Sequence, residues 1–116
     1  MGYRSDVAIA IDKDTYDAQV LIGVGINAFW HDSKTVIDGA YHWAVNGTRW
    51  YLDYPDVSYM ESLLAAIEEI PSERDLYGFI RIGEENDDNE MSGDPMDYHL
   101  YIVRQIESPL HAENWV

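Results

Sequence analysis

Hydrophobic and polar positions first alternate at Val7, Ile9 and Ile11, with Ala8 and Ala10 between them. A period of two is that of a strand, here with small residues lining its second face. Asp12 or Asp14 is placed to cap a helix over about Thr15–Trp30, where Tyr16, Val20, Val24 and Phe29 roughly keep helical spacing. Gly23 and Gly25 oppose that helix at ~1 kcal/mol each, and Val20, Ile22, Val24 and Ile26 alternate as in a strand, so both readings stand. Asn46-Gly47 is the dipeptide preferred in two-residue hairpin turns, whose two central residues take positive φ. Pairing outward from it predicts Val45 opposite Thr48, Trp43 opposite Trp50 and Tyr41 opposite Leu52 on an apolar face. The open face then carries Ala44 with Arg49, His42 with Tyr51 and Ala40 with Asp53.

Tyr54-Pro55-Asp56 interrupts the pattern, and Ser58 with Glu61 forms a capping box for a second helix. Met60, Leu63, Leu64 and Ile67 make its apolar stripe, Glu61, Glu68 and Glu69 its wet face, and Pro71 its end. Strands are predicted at Leu76–Ile82 and Tyr98–Ile106. The order β-α-β-β-α-β-β predicts an α+β two-layer sandwich, ferredoxin-like or related, with helices on one face of a mainly antiparallel sheet. A strand at 15–30 would instead give a more strand-rich sheet with one packed helix. One domain over 1–107 is expected, followed by a tail, 108–116, whose Trp115 is placed to pack back on the domain or on a second copy.

Charge narrows the function classes. The chain has 116 residues, with 22 Asp and Glu against 7 Lys and Arg, a formal net charge of −15. Such an imbalance opposes direct binding to nucleic acid or an anionic membrane. With 47% apolar and 13% aromatic residues the chain has the material for a core, unlike a disordered acidic tail. There is no cysteine, which removes disulfides, thiolate metal sites and Cys nucleophiles. The apolar run Val7–Ile11 is short for a signal peptide, and Ala18–Trp30 falls short of the ~20 residues that span a bilayer, so a soluble intracellular protein is expected.

Candidate chemistry centres on Glu84–Asp97, which holds Glu84, Glu85, Asp87, Asp88, Glu90, Asp94 and Asp97 and no base. As a connection between two strands it reads as a solvated excursion or as an interaction surface. As a calcium loop it fails, because the twelfth position counted from Asp88 is His99 and no helices flank it. Asp12, Asp14 and Asp17 complement a helix start, whereas Glu68, Glu69, Glu73 and Asp75 crowd a helix end, where negative charge is unfavourable. His31, His42, His99 and His111 lack metal-ligand spacing, the serines occupy no nucleophile elbow, and Gly23-Val24-Gly25 lacks the third glycine of a dinucleotide fingerprint. No enzyme activity, metal or cofactor is therefore expected.

Three blocks, Met1–Ile9 (MGYRSDVAI), Trp50–Val57 (WYLDYPDV) and Gly78–Glu84 (GFIRIGE) followed by Asp87-Asp88, resemble a group of small uncharacterised acidic proteins encoded by tailed bacteriophages and prophages. The resemblance covers most of the chain in scattered blocks and brings no catalytic residues with it. It implies expression in the cytoplasm of a bacterial host during infection. The function expected on this basis is binding and inhibition of a basic host protein, a nucleic-acid-binding protein or defence complex, in an anti-CRISPR, anti-restriction or host-takeover role. Carboxylates would stand in for nucleic-acid phosphates. The expected surface is Glu84, Glu85, Asp87, Asp88, Glu90, Asp94 and Asp97, continued by Glu68, Glu69, Glu73 and Asp75, with Tyr51 and Trp115 as aromatic anchors. The alternatives are a homodimerising structural or assembly module, and a binder of a divalent cation or small ligand.

Overall fold

A computed structural model describes residues 4–85, 88–103 and 105–107. β1 (Ser5–Asp12) is the alternating segment, and Asp12 caps α1 (Lys13–Gln19) by accepting from the Thr15 N–H at 3.1 Å. The predicted first helix forms but is broken. α1 widens into a π-helical turn at Val20–Val24 and stops at Gly25, whose backbone (φ 71, ψ −170) suits glycine alone. It resumes as α2 (Ala28–Ser33), capped by Asn27. β2 (Thr35–Ile37), β3 (Ala40–Thr48), α3 (Pro55–Glu68), β4 (Tyr77–Gly83) and β5 (Asn89–Gly93) follow. A 3₁₀ turn, Pro95–Tyr98, leads to β6 (Tyr101–Val103) and β7 (Gln105–Glu107). The architecture is α+β.

The main sheet has the order β2-β3-β1-β4-β5, and all its pairs are antiparallel. Without β5 this is the split βαβ arrangement, with β1 central and each helical crossover returning to the sheet. Val7, Ile9 and Ile11 face the helices with Tyr41, Trp43, Tyr77 and Phe79, packing on Tyr16, Trp30 and the α3 stripe Met60, Leu63, Leu64 and Ile67. Ala8 and Ala10 face the other way, where Ile80, Tyr98 and Leu100 close a smaller core. The small residues read from the first strand are thus the floor on which the 3₁₀ turn sits, and β7 runs against β1 and β4. No helix among the described residues is long and apolar enough to cross a membrane.

The expected hairpin at Asn46-Gly47 does not form. β3 runs through it, and the turn lies earlier, at Asp38-Gly39 (φ 49 and 79), pairing Thr35 with His42, Val36 with Tyr41 and Ile37 with Ala40. Asp-Gly carries the same positive-φ chemistry as Asn-Gly. What decides between them is β1, which takes the far side of β3 as its partner: Val7 faces Val45, Ile9 faces Trp43 and Ile11 faces Tyr41. Thr48, Trp50 and Leu52 therefore do not pair with Val45, Trp43 and Tyr41, and Leu52 is exposed. His42, expected beside Tyr51 on an open face, is buried between Ala10 and Thr35. Asn46-Gly47 instead forms a β-bulge, where the register slips between Ser5/Val7 and Thr48/Val45 and Gly47 takes φ 62.

Other expectations shift as well. α3 starts at Pro55, an N1 residue with preset φ, so Ser58 lies inside the helix and no capping box forms. Glu61 instead accepts from the Trp50 indole N–H at 2.8 Å. Tyr98–Ile106 is not one strand; Asp94 caps the 3₁₀ turn and only then does the short β6–β7 hairpin begin.

Candidate functional site

Within the acid-rich segment β5 lies, paired to β4 along its length, so Glu84–Asp97 is no open excursion. The connection is short: the Gly83 N–H donates to the Asp88 carbonyl at 2.8 Å and the Asp88 N–H to the Glu85 carbonyl at 3.0 Å. The β4–β5 register places Arg81 directly across from Glu90. Its guanidinium donates to Glu90 Oε1 at 2.9 Å, to Asp88 Oδ1 at 2.9 Å and Oδ2 at 3.4 Å, and to Ser5 Oγ at 3.0 Å. Hydrogen bonding to Asp88 raises the Arg81 pKa further above its ordinary value. A base absent from the segment in sequence is therefore supplied by its neighbouring strand. Tyr51 meets this cluster. With Trp50, Glu61, Arg81, Asp88 and Glu90 it lines an open cleft of about 510 Å³, and its ring lies edge-on to Tyr54 at 5.6 Å.

The remaining acidic candidates divide. Glu84 and Glu85 are exposed at the far end of β4, whereas Glu68, Glu69, Glu73 and Asp75 gather near its start. Seven strand residues separate the two groups, roughly 20 Å. Glu68 accepts from the Tyr77 hydroxyl, and burial with that carboxylate pushes Tyr77 up to about 12. The Asp75 carbonyl accepts from Tyr98 at 3.1 Å. Asp94 is a cap and Asp97 is exposed. Asp87 and Trp115 lie outside the described residues. Among the described residues no three His, Asp or Glu side chains converge as metal ligands.

The sequence pattern does not single out a second surface that the structure presents. Leu21 is 84% exposed, Ile22 78%, Ile26 65% and Phe29 48%, all within the broken helix. Contiguous exposed apolar side chains on a folded domain mark contact sites. This segment is held rather than loose. The Tyr59 hydroxyl donates to the Gly25 carbonyl at 2.7 Å, Asn27 Nδ2 to Asp56 Oδ1 at 3.0 Å, and the Trp30 indole to the Asp56 carbonyl at 2.8 Å. Trp43 in turn donates to the Trp30 carbonyl at 2.8 Å. Beside it lies a groove of about 680 Å³ lined by Phe29, Trp30, Trp50, Tyr54, Arg4 and Arg49, among others. Arg4 is engaged by the Gly47 carbonyl at 2.8 Å, and Arg49 enters none of the ion pairs among the described residues. Aromatic rings with arginine at the rim are the composition of protein-contact hot spots. The available signal in sequence was the conflict of periods at 18–30: apolar residues all round a helix exceed what one packed face can cover.

Comparison with family models, curated proteins and solved structures finds no match to the chain.

Proposed function

We propose that this protein is a non-catalytic binding module that docks on a basic protein of a bacterial host, of the nucleic-acid-binding or defence kind, and blocks it. The observation that carries this reading is the uncovered apolar run Leu21, Ile22, Ile26 and Phe29 on a body of net charge −15. The apolar run supplies the desolvated contact, and the charge selects a basic partner and speeds encounter. The surplus carboxylates also oppose self-association, because a second copy brings the same −15. Glu84 and Glu85, exposed at the β4–β5 turn, contribute to the field without needing to touch the partner.

The test is affinity capture from bacterial lysate at low salt with three baits: the parent chain, Leu21→Ser/Ile22→Ser/Phe29→Ser, and Glu84→Gln/Glu85→Gln. The expected result is a basic partner retained by the parent, lost with the apolar variant, and eluted at lower salt from the charge variant. Capture that is equal for all three baits overturns the reading. Sedimentation of the parent as a dimer that the apolar variant dissociates would instead establish the homodimeric module.

A further inference from the structure

We propose that an extended segment of a partner protein, carrying a carboxylate close to an aromatic or large aliphatic side chain, adds as a strand to the outer edge of β3 and fills the groove beside it. β2 covers that edge only where the two strands pair, from Ala40 to His42. From Trp43 to Thr48, β3 pairs with β1 on its inner side, and no strand among the described residues lies on its outer side. An uncovered edge presents main-chain donors and acceptors to an extended chain, and strand addition is the recognition mode it supports. The groove of about 680 Å³ is walled by the last residues of this length, Val45 to Thr48, so edge and groove form one surface.

Charge selects the segment. Among the described residues Lys13, Arg74 and Arg81 are held in ion pairs, with Asp17, with Asp12, and with Asp88 and Glu90. Arg4 and Arg49 are in none of these pairs, and both line the groove. The carboxylate of the lining, Asp56, already accepts from Asn27 Nδ2 at 3.0 Å. On a chain of net charge −15, this groove therefore sets two arginines against one engaged carboxylate. A basic segment would meet two like charges here, whereas a carboxylate gains charge-assisted, bidentate hydrogen bonds.

The rings set the second requirement. Phe29 is 48% exposed and Tyr54 38%, and with the half-buried Trp50 they offer apolar surface to a bulky side chain. The bulge at Asn46-Gly47 shortens the length of edge that can be paired, so side-chain contacts in the groove must supply the selectivity. A free aromatic acid would satisfy the arginines and the rings but leave the strand edge open, which favours a chain segment. The site shares Phe29 with the exposed apolar run. It does not depend on the host partner proposed above, because a different edge and the opposite charge define its occupant.

The experiment is selection of a displayed library of random heptapeptides on the parent chain, followed by NMR titration of the enriched peptide into ¹⁵N-labelled protein. The expected sequences place Asp or Glu within about two residues of an aromatic or large aliphatic residue, on the same face of a strand. The peptide should shift the backbone amides of Trp43 to Thr48 and the Trp50 indole N–H. Arg49→Gln, a change at an exposed side chain that leaves the fold intact, should weaken it about fivefold. The same peptide with N-methylated backbone amides should not bind, and 3-phenylpropionate, a free aromatic acid, should bind at least about tenfold more weakly. The proposal is overturned by no enrichment, by parent-like binding to Arg49→Gln, by binding of the N-methylated peptide, or by 3-phenylpropionate binding as tightly as the peptide. Enrichment of basic sequences also overturns it while leaving the function proposed above standing, and failure of the lysate capture leaves this site standing.

Discussion

Between Glu84 and Asp97 stand seven carboxylates and no base, yet Arg81 on the adjoining strand reaches two of them and the segment folds into the sheet edge. Between Val20 and Phe29 there is no charge at all, yet Leu21 and Ile22 point into water. Each region departs from what its composition alone suggests, the first in part. Meeting Asp88 and Glu90 takes one guanidinium at the right strand register, which β4 provides. Covering apolar side chains takes area, and the buried face of α3 is already used by Met60, Leu63, Leu64 and Ile67. Two of the seven acids are thus met locally while Glu84, Glu85, Asp94 and Asp97 stay exposed, and the apolar side chains of the broken helix stay uncovered.

The largest effect is expected at the anchor of the apolar region. Trp30→Ala removes the fully packed side chain that fastens α2 to Asp56 and Trp43, and should lower unfolding free energy by about 3–5 kcal/mol in a denaturant titration. Acid tests a third place, independent of both regions. His42 titrates near 6.5 when unfolded and near 4 when folded, so between those values the unfolded chain holds the extra proton. Its effect is absent above pH 6.5, grows as the pH falls, and reaches a loss of about 3 kcal/mol by pH 4; His42→Phe should flatten that window in melts taken at successive pH values. Arg81→Met leaves Asp88 and Glu90 facing each other without their cation. A loss of ~1 kcal/mol is expected, with faster hydrogen exchange in β5 than in β1, since both carboxylates are partly solvated. The smallest effects sharpen the contrast. Leu21→Ser/Ile22→Ser and Glu84→Gln/Glu85→Gln should each change stability by less than ~0.5 kcal/mol, because those side chains are exposed. In titration calorimetry with the captured partner, the first pair should remove binding and the second should mainly flatten its salt dependence.

Period-two and helical patterns are legible in β1, whose large and small residues face two different cores, and in α3, which buries one face. Both match the sequence reading because successive strand side chains point to opposite faces and helical ones recur every 3.6 residues. β5 was not legible: Asn89-Glu90-Met91-Ser92-Gly93 has no alternation, and it is a strand because β4 offers an edge to pair with. The choice between Asp38-Gly39 and Asn46-Gly47 was equally hidden, since both dipeptides suit the turn and the decision rests with a strand some 30 residues away. Of the candidate site, the sequence yielded Tyr51, Asp88 and Glu90, which do meet in one cleft, but not the arginine that joins them. The exposed run at 21–29 was visible only as a conflict between two periods. A turn at Asn46-Gly47 makes His42 half of a surface pair, whereas the turn at Asp38-Gly39 buries it.

The bulge at Asn46-Gly47 acts as a parity switch. Up to Val45 the odd-numbered residues of β3 face the helices, and beyond the extra residue the even-numbered ones do, beginning with Thr48 opposite Ser5. That inversion turns Trp50 toward Trp30 and Phe79, with ring centres 6.0 and 5.9 Å away, and leaves Arg49 on the outside. Deleting a single residue at 46 or 47 would restore strict alternation and bring the guanidinium inward while sending the indole out. One unpaired residue thus keeps the aromatic groove and its arginine on their proper sides.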